Sequence, residues 1–223
     1  MKKPLIFAIR GALGFSLTTF LLFRGNSWLY RHDELDWEST SMIFAYIFLA
    51  GLLGGTLLFF GGAHWKRATV ASGTGLFIAF FTFSVIQCIP LGAGTGIIHK
   101  AIWIVVLGVE WGIGHALFGG ICGYSKHPAL AKPGVIAFGL PALLFGVLAA
   151  ITAGKVHYDI WYYYGHLVHM PNGGTFYERI FEDQLPRVTA FCLCLGLPLG
   201  GALFGRAVGR FEASVNPARP QRD

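Results

Sequence analysis

The chain has 223 residues, of which 54% are hydrophobic and 13% charged, about half the ~25% charged share of soluble domains. With a mean hydropathy of +0.59, this composition excludes a disordered chain, a nucleic-acid-binding domain and an ordinary soluble enzyme. The net charge of +6 does not reverse that, because the basic residues are thinly spread between long apolar runs. The expected fold class is an all-α membrane protein, a six-transmembrane-helix bundle with glycine-rich close helix packing.

Crossing ~30 Å of hydrocarbon takes about 20 mainly apolar residues. Six stretches qualify, at about 5–23, 42–62, 68–89, 101–121, 134–154 and 188–205. The first follows Lys2 and Lys3, as the apolar core of a secretory signal would. Arg10 interrupts it, however, and no small-x-small cleavage site precedes Arg24, so it reads as a retained helix. Arg10 lies within one or two turns of the helix start and can snorkel to the interface. The loop at about 24–41 is acidic and aromatic, with Trp28, Tyr30 and Trp37 as interfacial anchors.

The second span carries Gly51 and Gly55, four residues apart. The fourth carries Gly108, Gly112, Ala116 and Gly120 at the same interval, and the sixth carries Gly201, Gly205 and Gly209. A four-residue interval lines small residues along one helix face, where backbones can approach closely. Such stripes serve either as interfaces inside one bundle or as faces toward a neighbouring subunit or a narrow pathway.

A related phrase recurs as Gly11-Ala-Leu-Gly-Phe-Ser-Leu17, Gly51-Leu-Leu-Gly-Gly-Thr-Leu57, Trp111-Gly-Ile-Gly-His-Ala-Leu117 and Leu197-Pro-Leu-Gly-Gly-Ala-Leu203. Spans two and four match at an offset of 60, each followed by a short basic loop and another span. This is the pattern of a tandem helical-hairpin repeat, although glycine-rich apolar segments also resemble one another by composition alone.

Three polar residues in or at the ends of spans are candidates for transport or a proton relay. Glu110 lies about ten residues into the fourth span, near its middle. A carboxylate there costs several kcal/mol unless paired, protonated or hydrated. It is either a proton or cation relay or structural glue between helices. His115 is five residues on, about 140° round the helix from Glu110, and reads better as a hydrogen-bonded structural histidine. Haem ligation is not expected, because the other histidines lie in loops or at span ends. Gln87, near the outer end of the third span, suits either a polar entrance or an interhelical hydrogen bond. Pro141 and Pro198 fall inside spans, where freed carbonyls can adjoin a cavity.

The loop at about 155–187 is too long for a simple connector. Its aromatic first half reads as an interfacial segment. His166 and His169, three apart, with His157 or Asp159 as further ligands, form a weak candidate metal site suited to zinc, copper or iron. The cysteines, Cys88, Cys122, Cys192 and Cys194, lie in or at the ends of spans, so a disulfide framework is not expected.

Lys and Arg set the orientation. With a cytoplasmic N-terminus, eleven basic residues fall on the cytoplasmic side and six outside, while eight acids fall outside. Both termini are then cytoplasmic, in a bacterial-type inner membrane. Residues 1–209 form the six-helix transmembrane domain and 210–223 a disordered cytoplasmic tail able to touch anionic lipid.

No phosphate-binding glycine loop, nucleophile elbow or His-Glu-x-x-His motif is present, so the balance is against an enzyme, and a membrane enzyme using the outer-loop histidines ranks third. Two functions rank above it. One is a small transporter or channel for an ion or small solute. The alternative is a non-catalytic structural or accessory subunit of a larger membrane complex. Expected partners are membrane lipids, other membrane subunits or a second copy, and no nucleic acid.

Overall fold

The computed structural model describes residues 2–29, 37–62, 64–87, 97–153 and 187–215. Among these residues no strand occurs, and the regular structure is helical. The helices are α1 (Lys2–Leu29), α2 (Trp37–Phe59), α3 (Trp65–Gln87), α4 (Ile97–Lys126), α5 (Ala131–Ala153) and α6 (Arg187–Val215), with a 3-10 turn at Pro128–Leu130. Three stretches are long and apolar enough to cross a membrane: Lys3–Leu22, Ile104–Lys126 and Pro128–Ala149. A shorter apolar stretch, Phe44–Phe59, lies in α2. A helix satisfies its own backbone polar groups, so it is the form in which such long apolar runs bury no unmet N–H or C=O.

Each of the six apolar stretches falls largely within one helix, which starts before it; α2, α3 and α5 end one to three residues short of its far end, and the others run past it. The extension matters most in α6, which continues through Arg210–Val215, six residues expected to begin a disordered tail. The helix persists there because Phe211 stacks on His127 at a ring-centroid separation of 4.6 Å and Glu212 meets Lys126. Residues 216–223 lie outside the described residues. The two prolines beyond the first turn of a helix, Pro141 in α5 and Pro198 in α6, leave the helix running on either side.

The turns at one end follow from local chemistry. After α2 the chain reverses through Gly61 at φ +77°, a backbone conformation that suits glycine because it has no Cβ. Arg10 of α1 donates to the Phe60 carbonyl at 3.2 Å, where the negative end of the α2 dipole favours a cation. After α4, His127 is extended and its Nδ1 accepts from the Ala129 N–H at 3.2 Å, with Pro128 starting the turn.

Neighbouring helices pack on one another in chain order, and α6 returns to pack on α1, closing a ring of six. Backbones come unusually close at the small residues. A Cβ added to Gly11 would lie 2.0 Å from the Gly201 carbonyl oxygen, and one on Gly205 would lie 2.1 Å from that of Phe7. The α4–α5 seam has the same character, with Gly119 and Gly134 each facing the other's carbonyl. Phenylalanines fill the middle of the ring. Phe15 of α1 meets Phe118 of α4 and Phe138 of α5 edge-on at 5.4 and 5.1 Å. Phe204 of α6 lies 5.7 Å from Phe138 and 6.1 Å from Phe59 of α2. All five rings are fully buried.

The outward surface is apolar on every helix. Leu5, Ile9, Leu13 and Leu17 run down α1, Leu49, Leu53 and Leu57 down α2, and Val105, Val109, Ile113 and Leu117 down α4. Leu140 on α5 and Leu199 and Leu203 on α6 are likewise exposed. Each series recurs every four residues, so the apolar outer stripes are helical faces rather than scattered residues.

The 60-residue offset has a counterpart in the packing. Gly54 and Gly114 each face the preceding helix, at Thr18 and Phe15 and at Ala79 respectively. Gly51 and Trp111 each face the following helix, at Ser72 and Gly73 and at Gly146. Leu58 and Phe118 are both fully buried.

Candidate functional site

The interior polar groups lie mostly along α3 and α4, with Thr18 on α1. On α4, Glu110, Gly114, Phe118, Cys122 and Lys126 recur every fourth residue and so share one stripe. That stripe faces inward: Gly114 lies against Ala79 of α3, Phe118 joins the aromatic centre, and Cys122 is fully buried.

Glu110 is only 1% exposed. It lies eight residues, or roughly 12 Å, above Phe118, while Lys126 lies the same distance below. α4 runs from Ile97 to Lys126, so Glu110 stands close to the middle of that helix, on the far side of the aromatic layer from the basic end.

His115 lies off this stripe and is half-buried. Its Nδ1–H donates to the Trp111 carbonyl at 2.9 Å, and its ring packs on that of Trp111 at 5.2 Å. One nitrogen is thus engaged by its own helix. Gln87 is the last residue of α3, and its side chain lies outside the described residues.

On the adjacent face of α3, Thr69 Oγ1 and Ser72 Oγ are buried with no hydrogen-bond partner among the described residues. Ser72 lies against Gly51 and Gly55 of α2, and the Cys122 thiol lies beside it without hydrogen-bonding geometry. Thr18 of α1 is better served, its Oγ1 placed 2.9 Å from the Ala50 carbonyl and 3.1 Å from that of Gly14. At the basic end, Lys126 Nζ lies 2.6 Å from Glu212 Oε1, with side chains 2% and 12% exposed. A Cβ added to Gly62 would lie 2.9 Å from Lys126 Nζ, so this ion pair also touches the α2–α3 turn.

The glycine stripes lie at helix contacts within the chain. Gly51 and Gly55 face α3. Gly108 and Gly112 face Val147 and Leu143 of α5, Gly120 meets only the Val135 methyl at 3.0 Å, and Gly201 and Gly205 face α1. Sequence reasoning did not single out Glu212, Thr69, Ser72 or Gly119. Glu212 carried a readable signal, as an isolated acid among the arginines that end the chain. The candidate metal ligands His157, Asp159, His166 and His169 lie outside the described residues. Within those residues no group of three His, Cys, Asp or Glu side chains could hold a metal ion. Of Cys88, Cys192 and Cys194, no side chain lies within the described set.

No protein-family model matches the chain, and neither a curated protein nor a solved structure matches it significantly.

Proposed function

We propose that the protein is an integral membrane bundle of six spans, with both termini cytoplasmic, that transports an ion or small solute using Glu110 as the proton- or cation-binding group. The membrane setting is supported by the apolar outer stripes on all six helices around an interior holding Glu110, Lys126, Thr18, Thr69 and Ser72. In water such a surface far exceeds the few hundred Å² of contiguous apolar area that a soluble monomer tolerates. Orientation is supported by the gathering of Lys3, Arg10, Lys66, Arg67, Lys126, Lys132, Arg206 and Arg210 at the end carrying both short turns. The corresponding registers of α2 and α4 support the tandem-hairpin repeat.

The observation that carries transport is the inner α4 stripe. A buried carboxylate stands on one side of the aromatic layer and the Lys126–Glu212 pair on the other. In this reading the closed phenylalanine layer is the barrier of an occluded state, and Glu110 exchanges its ion with the outer side. The phenylalanine layer also suits the alternative of an accessory subunit, whose interior needs only to be filled.

The test is ion flux into proteoliposomes, read with a pH-sensitive dye under an imposed gradient. Wild-type protein is expected to exceed protein-free vesicles, and Glu110→Gln to lower flux at least tenfold without lowering the melting temperature. Flux equal to the protein-free control, or unchanged by Glu110→Gln, overturns the reading. Stoichiometric co-purification with a larger membrane complex would then favour the accessory subunit.

A further inference from the structure

We infer that the groove between the basic ends of α3 and α4 is a binding site for one anionic phospholipid, with its phosphate on Lys66 and Arg67 and an acyl chain along the groove. This rests on the membrane reading above. The groove is shallow and broadly open, with a volume of about 540 Å³, so an acyl chain laid in it would keep one side uncovered.

The chemistry of its lining is graded along its length. Lys66 and Arg67 stand in the first turn of α3 at the mouth, and both are exposed. Ser125 of α4 is also part of the lining. Further in come Val70 and Ala71, then Ile121 from α4 and Thr74, whose hydroxyl donates to the Val70 carbonyl of its own helix at 3.1 Å and so leaves its methyl to the groove. Beyond the groove the apolar track continues over exposed Leu117 and Ile78 toward the middle of the bundle. Cation, hydroxyl and then hydrocarbon is the order of an anionic lipid from headgroup to chain.

Charge complementarity supports this occupant. Among the described residues neither Lys66 nor Arg67 has a carboxylate partner, because the one acid at this end, Glu212, is engaged by Lys126. The positive end of the α3 dipole adds to their field. An arginine fork suits two phosphate oxygens at once. Lys66 is steadied over the Trp65 ring at 5.9 Å, and Trp65 packs on Phe60 at 5.3 Å. Tyr124, next to Ser125 in α4, is exposed at the same end of the bundle, where tyrosine suits a membrane–water interface.

The test uses the full chain in nanodiscs, released gently into a mass spectrometer so that retained lipids are counted. With equal phosphatidylglycerol and phosphatidylcholine, wild type is expected to retain one phosphatidylglycerol at least tenfold in preference. Lys66→Gln/Arg67→Gln abolishes the preference, whereas Lys132→Gln/Arg206→Gln, which removes the same charge at the same end, preserves it. Thr74→Trp, which obstructs the groove from an exposed position with both cations kept, also abolishes it.

Three results would overturn the site: no preference in wild type, equal loss in the control variant, or displacement of the lipid by millimolar inorganic phosphate. The last would identify a free phosphate ion as the ligand instead. Failure of the membrane reading is separate, appearing as protein that does not float with neutral phosphatidylcholine vesicles.

Discussion

Gly119 and Gly120 are adjacent on α4, so replacing either with alanine changes helix propensity equally. Their surroundings differ sharply. A Cβ on Gly119 would lie 2.1 Å from the Gly134 carbonyl oxygen, 2.7 Å from its carbon and 2.8 Å from Phe138 Cδ2. That oxygen is about 1.3 Å short of the 3.4 Å at which ordinary contact begins. Backbone cannot rotate aside as a side chain can, so α4 and α5 must separate by roughly 1 Å at this level. A gap of ~0.5–1 Å forfeits a quarter to a half of each dispersion contact, and each contact is worth ~0.1–0.2 kcal/mol.

If the tightest turn of the seam holds about as many atom contacts as one buried leucine or slightly more, roughly 40–70, mid-range values give a loss of about 2–4 kcal/mol. This agrees with the ~1–3 kcal/mol or more of an overpacked core. At Gly120 the added methyl meets only Val135 Cγ2, which can yield, so Gly120→Ala is expected to stay within about 0.5 kcal/mol of wild type.

In a thermal melt of the purified protein in mild detergent, followed by size-exclusion fluorescence, Gly119→Ala is expected to melt about 5–12 °C below wild type. Gly120→Ala should nearly coincide with wild type. Equal melting temperatures for the two variants would refute the claim that backbone contact sets the α4–α5 distance.

Two further substitutions probe the ends and the outside of the bundle. Lys126→Met leaves the Glu212 carboxylate largely buried beside an apolar chain and is expected to cost about 2–3 kcal/mol, somewhat under the ~3–5 kcal/mol for breaking a fully buried pair because Glu212 reaches some solvent. Lys126→Met/Glu212→Met should recover most of that in the same melt, and a double variant no better than the single would refute mutual compensation. Leu140→Lys, at 63% exposure on α5, would be nearly silent in water. In lipid it should cost about 2.5–3.5 kcal/mol of apparent insertion energy, read as a falling membrane-inserted fraction in a reporter assay. Unchanged insertion would contradict the lipid-facing assignment.

Much of the architecture is legible in the sequence because it depends on local chemistry. Runs of about 20 apolar residues locate the six helices among the described residues, and two of the breaks fall where Gly61 and Pro128 make continuation unfavourable. The four-residue glycine intervals mark faces that can approach another backbone, and the isolated carboxylate at Glu110 stands out against its apolar neighbours.

The tertiary arrangement decided which face meets which helix, and that cannot be read from spacing. Gly120 belongs to the regular stripe, yet Gly119, about 100° round the helix, takes the backbone contact, because the register of α5 brings Gly134 to that side. The end of α6 was decided in the same way. Local composition there favours a frayed, charged tail, but the arrival of His127 and Lys126 from α4 gives Phe211 and Glu212 partners and keeps the helix wound to Val215. Composition and periodicity act along the chain and set where helices form. Pairing of helices depends on contacts between residues far apart in sequence, and it set which helix each glycine face meets and how far α6 runs.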